Sequence, residues 1–374
     1  MRRLCRFTAG FSIGCAACVA GVRSGAYLLA AIAAALCVLA LGFRKQLHLQ
    51  RLLPALLGLS LALAWCGVYR AVLLRPIESF CARGQAEISA EVLEYPTSSR
   101  YGRAVLVCVE AESRSIRADE TLLPGDHVAC TAKLRAASPD NLERNEYYAS
   151  RGVWMCASAK GELTVEAGTR SLRYFPVYAA ERLKRVCTQI FPADAAGFLQ
   201  ALLTGDKQNL SYALRNDLSR SGVYHVVAVS GMHVSLLAGL VMLLCAKKRV
   251  LCAALGIPLV WFFVLLTGAN ASSVRAGIMQ TMLLVSGLVR RERDPWTAFS
   301  AALLVLLAEN PWAIRNVGLL LSFASTGGIL LFSKPLYHAM VESRAYSHLE
   351  DNHPKLAHGL RPAITAVCCS LASS

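Results

Sequence analysis

Apolar residues run almost unbroken over positions 7–22, 26–43 and 52–68 of this chain, and again through most of 223–332. A helical bilayer crossing needs roughly 20 consecutive apolar residues, so the first three runs predict three spans. Five more are expected over 223–245, 250–267, 273–289, 296–307 and 318–332, with another apolar start at Ala363. Between the two groups the period changes. Residues 85–92 and 103–110 alternate apolar with polar, and 127–134, 152–159 and a short 163–165 follow. Short runs of period two, punctuated by turn residues such as Leu123-Pro124-Gly125-Asp126, predict five β-strands closing into a small barrel.

Two amphipathic stretches link this region to the later spans. Residues 176–190 read as a helix with Pro176 in its first turn and Arg182, Lys184 and Arg185 on one side. In residues 194–220, one apolar face holds Phe198, Leu199, Leu202 and Leu203. A second holds Leu210, Ala213, Leu214 and Leu218, opposite Arg215, Asp217 and Arg220. Helices of this kind lie at a bilayer surface. Gly205-Asp206-Lys207 is a polar turn between them.

The least expected chemistry falls in Ser221-Gly222-Val223-Tyr224-His225, continuing to Val229-Ser230-Gly231-Met232-His233-Val234. Two histidines, two serines and two glycines enter a run that otherwise reads as membrane-buried. Either one helix crosses with polar groups inside it, or the helix breaks near Ser230-Gly231. A break in hydrocarbon is tolerated only where protein or water lines it, and broken helices recur along substrate paths. The plainer alternative is a kink at a Ser-Gly pair, packed closely by small residues. Arg275, in Ser273-Val274-Arg275-Ala276, poses a similar choice. It faces a polar cavity, or it snorkels to the nearby interface.

Composition narrows the class. Of 374 residues, 55% are hydrophobic and 17% charged, against about 25% charged in soluble domains. The mean hydropathy is +0.44. The net charge of +15 reads mainly as topology, because acids and bases roughly balance between residues 76 and 192 while the excess clusters at helix ends. Arg2, Arg3 and Arg6 place the N-terminus in the cytoplasm. Arg44, Lys45 and Arg51, then Lys247, Lys248 and Arg249, then Arg290, Arg291 and Arg293 fall on the same side. The barrel is thereby expected on the outer face. The basic start, the apolar run and Gly14-Cys15 also resemble a secretory or lipoprotein signal, although multi-pass proteins begin the same way.

Most of the 14 cysteines lie in apolar runs, where cysteine acts as a small hydrophobe. Cys81, Cys108, Cys130 and Cys156 sit in the barrel region, where one pair is free to oxidise. No paired C-x-x-C suits zinc, and no cofactor or metal is expected. A Ser230/His233 hydrolase lacks an identifiable third member and a G-x-S-x-G elbow. His338, His348, His353 and His358 are expected to be solvated in a polar loop over 334–361.

Several of these motifs together resemble the ComEC-type competence proteins. They are Leu202-Leu203-Thr204-Gly205-Asp206, Ser221 to His225, Val229 to Val234, Leu266-Thr267-Gly268, Ser273 to Ala276, Asn316-Val317-Gly318 and Leu321-Ser322-Phe323-Ala324. Upstream, Pro124-Gly125-Asp126 and Ala132-Lys133-Leu134-Arg135 resemble the family's OB-like domain, although Ser138 to Tyr148 lacks its Asn-Pro and Phe-Asp-Tyr elements. The resemblance implies a channel, not an enzyme, that passes single-stranded DNA across the bacterial inner membrane in natural transformation. The His-x-His-x-Asp-His run of a nuclease domain is absent from this sequence.

The fold expected is a polytopic α-helical membrane protein with an inserted, OB-like extracytoplasmic β-barrel. Residues 1–75 form N-terminal membrane helices, 76–192 the OB-like domain and 193–374 a competence-type membrane domain. Gly205, Asp206, His225, Ser230, Gly231, His233 and Arg275 are the expected path residues. Lys133, Arg135, Tyr147 and Tyr148 are candidate DNA contacts, and Tyr95, Tyr101 and Trp154 are further aromatic rings for base stacking. Single-stranded DNA, membrane lipids, other DNA-uptake proteins and a second copy of the chain are the expected partners. Alternatives are a transporter or intramembrane enzyme for a small or envelope-derived substrate, and, because the chain stops at Ser373-Ser374 in an apolar run, a truncated remnant.

Overall fold

The computed structural model describes residues 3–20, 52–95, 97–99, 102–104, 107–110, 122–136, 148–159, 164–168, 171–221, 224, 231–245, 248–289, 294–341, 364–365 and 367–369. The expected span over 26–43 lies outside them. The chain divides into two compact units, one of residues 1–67 with 294–374, the other of residues 68–293.

The first unit is helical. Helix α1 (Arg3–Val19) packs on α2 (Leu53–Tyr69) through small residues at four-residue spacing. A Cβ added to Gly10 would lie 1.8 Å from the Ala55 carbonyl oxygen, and one on Gly58 would lie 2.0 Å from that of Phe7. Without side chains at these points the two backbones approach closely, which is how helices associate in lipid. Phe11, Cys15, Cys18, Ala62, Leu63 and Cys66 form the buried core of this contact, together with Leu307. That leucine comes from α10 (Pro295–Glu309), which is followed by a 3-10 turn (Pro311–Arg315) and α11 (Val317–Val341). Thr8 Oγ1 donates to the Ser300 carbonyl at 3.4 Å, and Cys5 Sγ to that of Trp296 at 3.7 Å. Arg315 Nη2 donates to the Val19 carbonyl at 3.1 Å, placing a cation at the negative end of α1.

Helix α11 corrects one expectation. The polar loop was to begin at Lys334, yet the helix carries Lys334, Pro335 and His338 on to Val341. Pro335 removes only one backbone donor near the end of a long helix, and the residues after it are adequate helix formers.

In the second unit, α2 continues through one π turn (Arg70–Leu74) into α3 (Arg75–Cys81), with Pro76 in its first turn. The strands are β1 (Gln85–Val92), β2 (Thr97–Ser99), β3 (Gly102–Ala104), β4 (Val107–Glu110), β5 (His127–Ala136), β6 (Met155–Ala159) and β7 (Thr164–Glu166). The expected barrel is not what they form. Among the described residues β4, β1, β5 and β6 make an open antiparallel sheet with β7 also on β5, and β2–β3 is a separate hairpin. The reason is visible in the core. The inner face, with Ile88, Cys130, Ala132 and Leu134, is covered by Ile77, Phe80 and Cys81 of α3. A helix thus shields the sheet where a closed barrel would shield itself. Cys81, Cys130 and Cys156 are free thiols, and burial pushes those of Cys130 and Cys156 above the ordinary range.

Beyond the sheet come α4 (Phe175–Ile190), α5 (Ala193–Thr204) and α6 (Tyr212–Arg220), then α7 (Gly231–Leu244), α8 (Arg249–Leu266) and α9 (Ala271–Leu288). Val234 and Ala238 of α7 meet Val260 of α8 and Ala276 of α9 in one buried cluster. Across the described residues three helices are long and apolar enough to cross a membrane: Leu53–Cys81, Arg249–Leu266 and Val317–Val341. Gly231–Leu244 and Pro295–Glu309 are apolar but shorter. The protein is a mostly helical membrane protein carrying a small antiparallel sheet.

Candidate functional site

The sheet is tied to α4 through the Pro124-Gly125-Asp126 turn. Gly125 has φ +93, a left-handed conformation suited to glycine. The Asp126 carboxylate accepts from the Leu123 amide at 2.8 Å and the Gly168 amide at 3.3 Å. Tyr178 Oη on α4 donates to the Pro124 carbonyl, and Tyr174 Oη to Glu91 on β1, each at 2.5 Å. The motif is therefore a joint between sheet and helix.

Gly205 and Asp206 form a second joint. Gly205 caps α5 with φ +77, the usual use of glycine past a helix end. Asp206 accepts from Lys184 Nζ and from the Gln208 amide, both at 3.0 Å. Lys184 also pairs with Glu181 at 2.9 Å. Burial on its own would lower the Lys184 ammonium, but its hydrogen bonds to Glu181 and Asp206, with their charges, raise it above its ordinary 10.5. Gln200 is 2% exposed. Its Nε2 donates to the Lys184 carbonyl, and its Oε1 accepts from Asn209 Nδ2, each at 2.8 Å. Sequence reasoning passed over Lys184, Gln200 and Asn209 as a group. The available signal was one amide side chain amid Phe198, Leu199, Leu202 and Leu203.

Gly231 and Arg275 are brought together. Gly231 is the first residue of α7, and a Cβ there would lie 3.2 Å from Arg275 Nη2 and 3.4 Å from Ala276 Cβ. Arg275 is 8% exposed, and its Nη1 lies 3.7 Å from Met279 Sδ. A buried guanidinium thus stands beside Gly231 of α7. Just before α9, Gly268 (φ +76) and Ala269 (φ +47) turn the chain in the left-handed region. Asn270 Nδ2 donates to the Thr267 carbonyl and Ser273 Oγ to that of Asn270, so both side chains close the turn.

The remaining candidates divide. His233 lies on α7, part-buried, while His225, Ser230 and Tyr147 fall outside the described residues, as does Tyr101. Lys133 and Arg135 point from the open face of β5, opposite Ser158 and Cys156 of β6. Tyr148 is 40% exposed. Tyr95 packs on Tyr178, and Trp154 on Tyr69, so these two rings fill contacts within the unit.

Residues 202–371 match the family described as Competence protein. Over those residues the chain is similar to that family. The match opens at Leu202, the first residue of the motif ending in Gly205-Asp206, and the resemblance to ComEC-type competence proteins is borne out. Among curated proteins, the chain is similar to ComE operon protein 3 of Bacillus subtilis (strain 168), 27% identical over 253 residues, covering 65% of this chain and 32% of that one. Recombination protein 2 of Haemophilus influenzae is 26% identical over 200 residues, 51% of this chain and 24% of that one. Competence protein ComA of Neisseria gonorrhoeae is 28% identical over 150 residues, 37% and 21% of the two chains. The chain thus spans a third or less of the relatives it matches. No solved structure matches it.

Proposed function

We propose that this protein forms part of a channel carrying single-stranded DNA across the bacterial inner membrane during natural transformation, with its N-terminus in the cytoplasm and its sheet, OB-like in role, on the outer face. The observation that carries the reading is the buried Arg275 guanidinium beside Gly231, a pair we assign to the membrane interior. A polar group so placed is costly unless it serves a function, and a guanidinium fork suits the charge and geometry of a phosphodiester. Gly231, His233 and Arg275, with His225 and Ser230, line the path. Gly205 and Asp206 serve it by holding the turn that leads into α6. Lys133, Arg135, Tyr147 and Tyr148 gather the strand. DNA-uptake proteins, membrane lipids and a second copy of the chain are its partners. Backbone contacts of this kind are independent of sequence and sensitive to salt.

Alanine at His225, Ser230 or His233, introduced at the native locus, tests the reading. Transformation and uptake of labelled DNA should fall while protein levels hold. Undiminished uptake at normal levels refutes the channel and leaves a transporter or intramembrane enzyme.

A further inference from the structure

The seam between α7 and α9 carries a second polar contact deeper in the membrane domain. Gly231 meets Arg275 and Ala276 at its upper end, and Ser235 meets Gln280 below. Both contacts advance in the same chain direction, so the two helices run parallel, and five residues at about 1.5 Å rise set Gln280 about 7 Å beyond Arg275. Gln280 Nε2 donates to Ser235 Oγ at 2.9 Å in an exposed position. A carboxamide has two N–H donors and a carbonyl acceptor. Among the described residues, the Ser235 bond is the one side-chain bond Gln280 makes. The neighbouring Thr281 differs. Its hydroxyl accepts from Trp261 Nε1 at 3.1 Å and donates to the Gly277 carbonyl at 2.8 Å, so on the α8 side the polar groups are mutually satisfied.

Unspent amide groups facing hydrocarbon are costly, and the exposed large apolar residues of α7 are Met232, Leu236, Leu240, Leu243 and Leu244. We infer that Ser235 and Gln280 continue the polar lining that begins at Arg275, so that the α7/α9 seam is the wall along which the sugar–phosphate backbone of a single strand passes. The inference rests on the channel reading above and adds two residues and a direction to it. Ser235 and Gln280 offer neutral donors and acceptors to a hydrated backbone, whereas Arg275 offers charge at the entrance.

Gln280→Glu distinguishes a wall from a structural tie. A carboxylate of the same length still accepts a hydrogen bond from the Ser235 hydroxyl, so a contact that merely joins two helices survives. A path for a polyanion gains a repulsive charge. At the native locus, Q280E should lower transformation about tenfold or more at unchanged protein level. Should the level fall, Gln280→Leu replaces it, since an apolar side chain is neutral on a lipid-facing surface and harmful in a wet path. Transformation within about twofold of the parent for the variant that accumulates normally overturns the inference. Arg275→Gln, run alongside, separates the two levels. If R275Q is defective and the Gln280 variants are silent, only the seam assignment fails. If all are silent, the channel reading fails with it.

Discussion

Asp206 holds two donors at once, the Lys184 ammonium and the Gln208 amide. Replacing it with Asn keeps the shape and removes the charge. With side chains about four-fifths buried, the ion pair is worth about 1–2 kcal/mol, and Asp206→Asn should lower the thermal midpoint of the detergent-purified protein accordingly. The pH dependence has a defined sign. Because Lys184 titrates above its ordinary 10.5 when folded, its contribution is whole below that pH and is lost as pH rises through the raised value. The parent should lose stability there, and D206N should lose less, which thermal melts across that range will show. Conserving the charge without the fit, as in Asp206→Glu, should recover only part of the difference.

Among the elements, the α1/α2 contact depends most on an absence of side chains. Gly58→Ala places a Cβ 2.0 Å from a backbone oxygen, which a flexible side chain cannot relieve by turning aside. Overpacking typically costs about 1–3 kcal/mol, so G58A should reduce the membrane-inserted protein and its melting temperature. Gly239→Ala on α7 is the control, since nothing lies within 4 Å of the added carbon, and it should be neutral or slightly stabilising. Elements of this type were readable from the chain in unequal measure. The alternation over 85–92 named β1 to the residue, because one face of that strand is buried and the other is not. Barrel closure was misread because shielding of the inner face comes from Ile77 and Phe80, which precede the first alternating run and carry no period of their own to mark them as a cover. Arg275 and Gly231 each stood out by residue type in an apolar run. Their meeting did not, since it depends on how α7 and α9 pack, and Gln280 was hidden by being uncharged.

For the molecule as a whole, the second unit contains both the sheet and the α7/α9 seam, so the proposed gathering and passage of DNA both fall to that unit. If the open face of β5 touches phosphate, the Lys133→Ala, Arg135→Ala double variant should bind a single-stranded oligonucleotide more weakly. Its slope of log affinity against log salt should be shallower by about 1.4, at about 0.7 per lost phosphate contact. An unchanged slope would remove the sheet from DNA handling and leave the seam as the sole contact. Binding titrations of the purified full-length protein at several salt concentrations decide it.

The first unit is assembled from sequence separated by more than two hundred residues, and that has a bearing on biogenesis. Cys5, Thr8 and the Val19 carbonyl find their partners 291, 292 and 296 positions later. At ~5–20 residues per second of synthesis, α1 waits on the order of tens of seconds in the membrane before α10 emerges. The glycine-lined contact with α2 is complete long before then. It can hold the newborn helix in register during the delay, so damage there should show first as nascent chains lost to proteolysis.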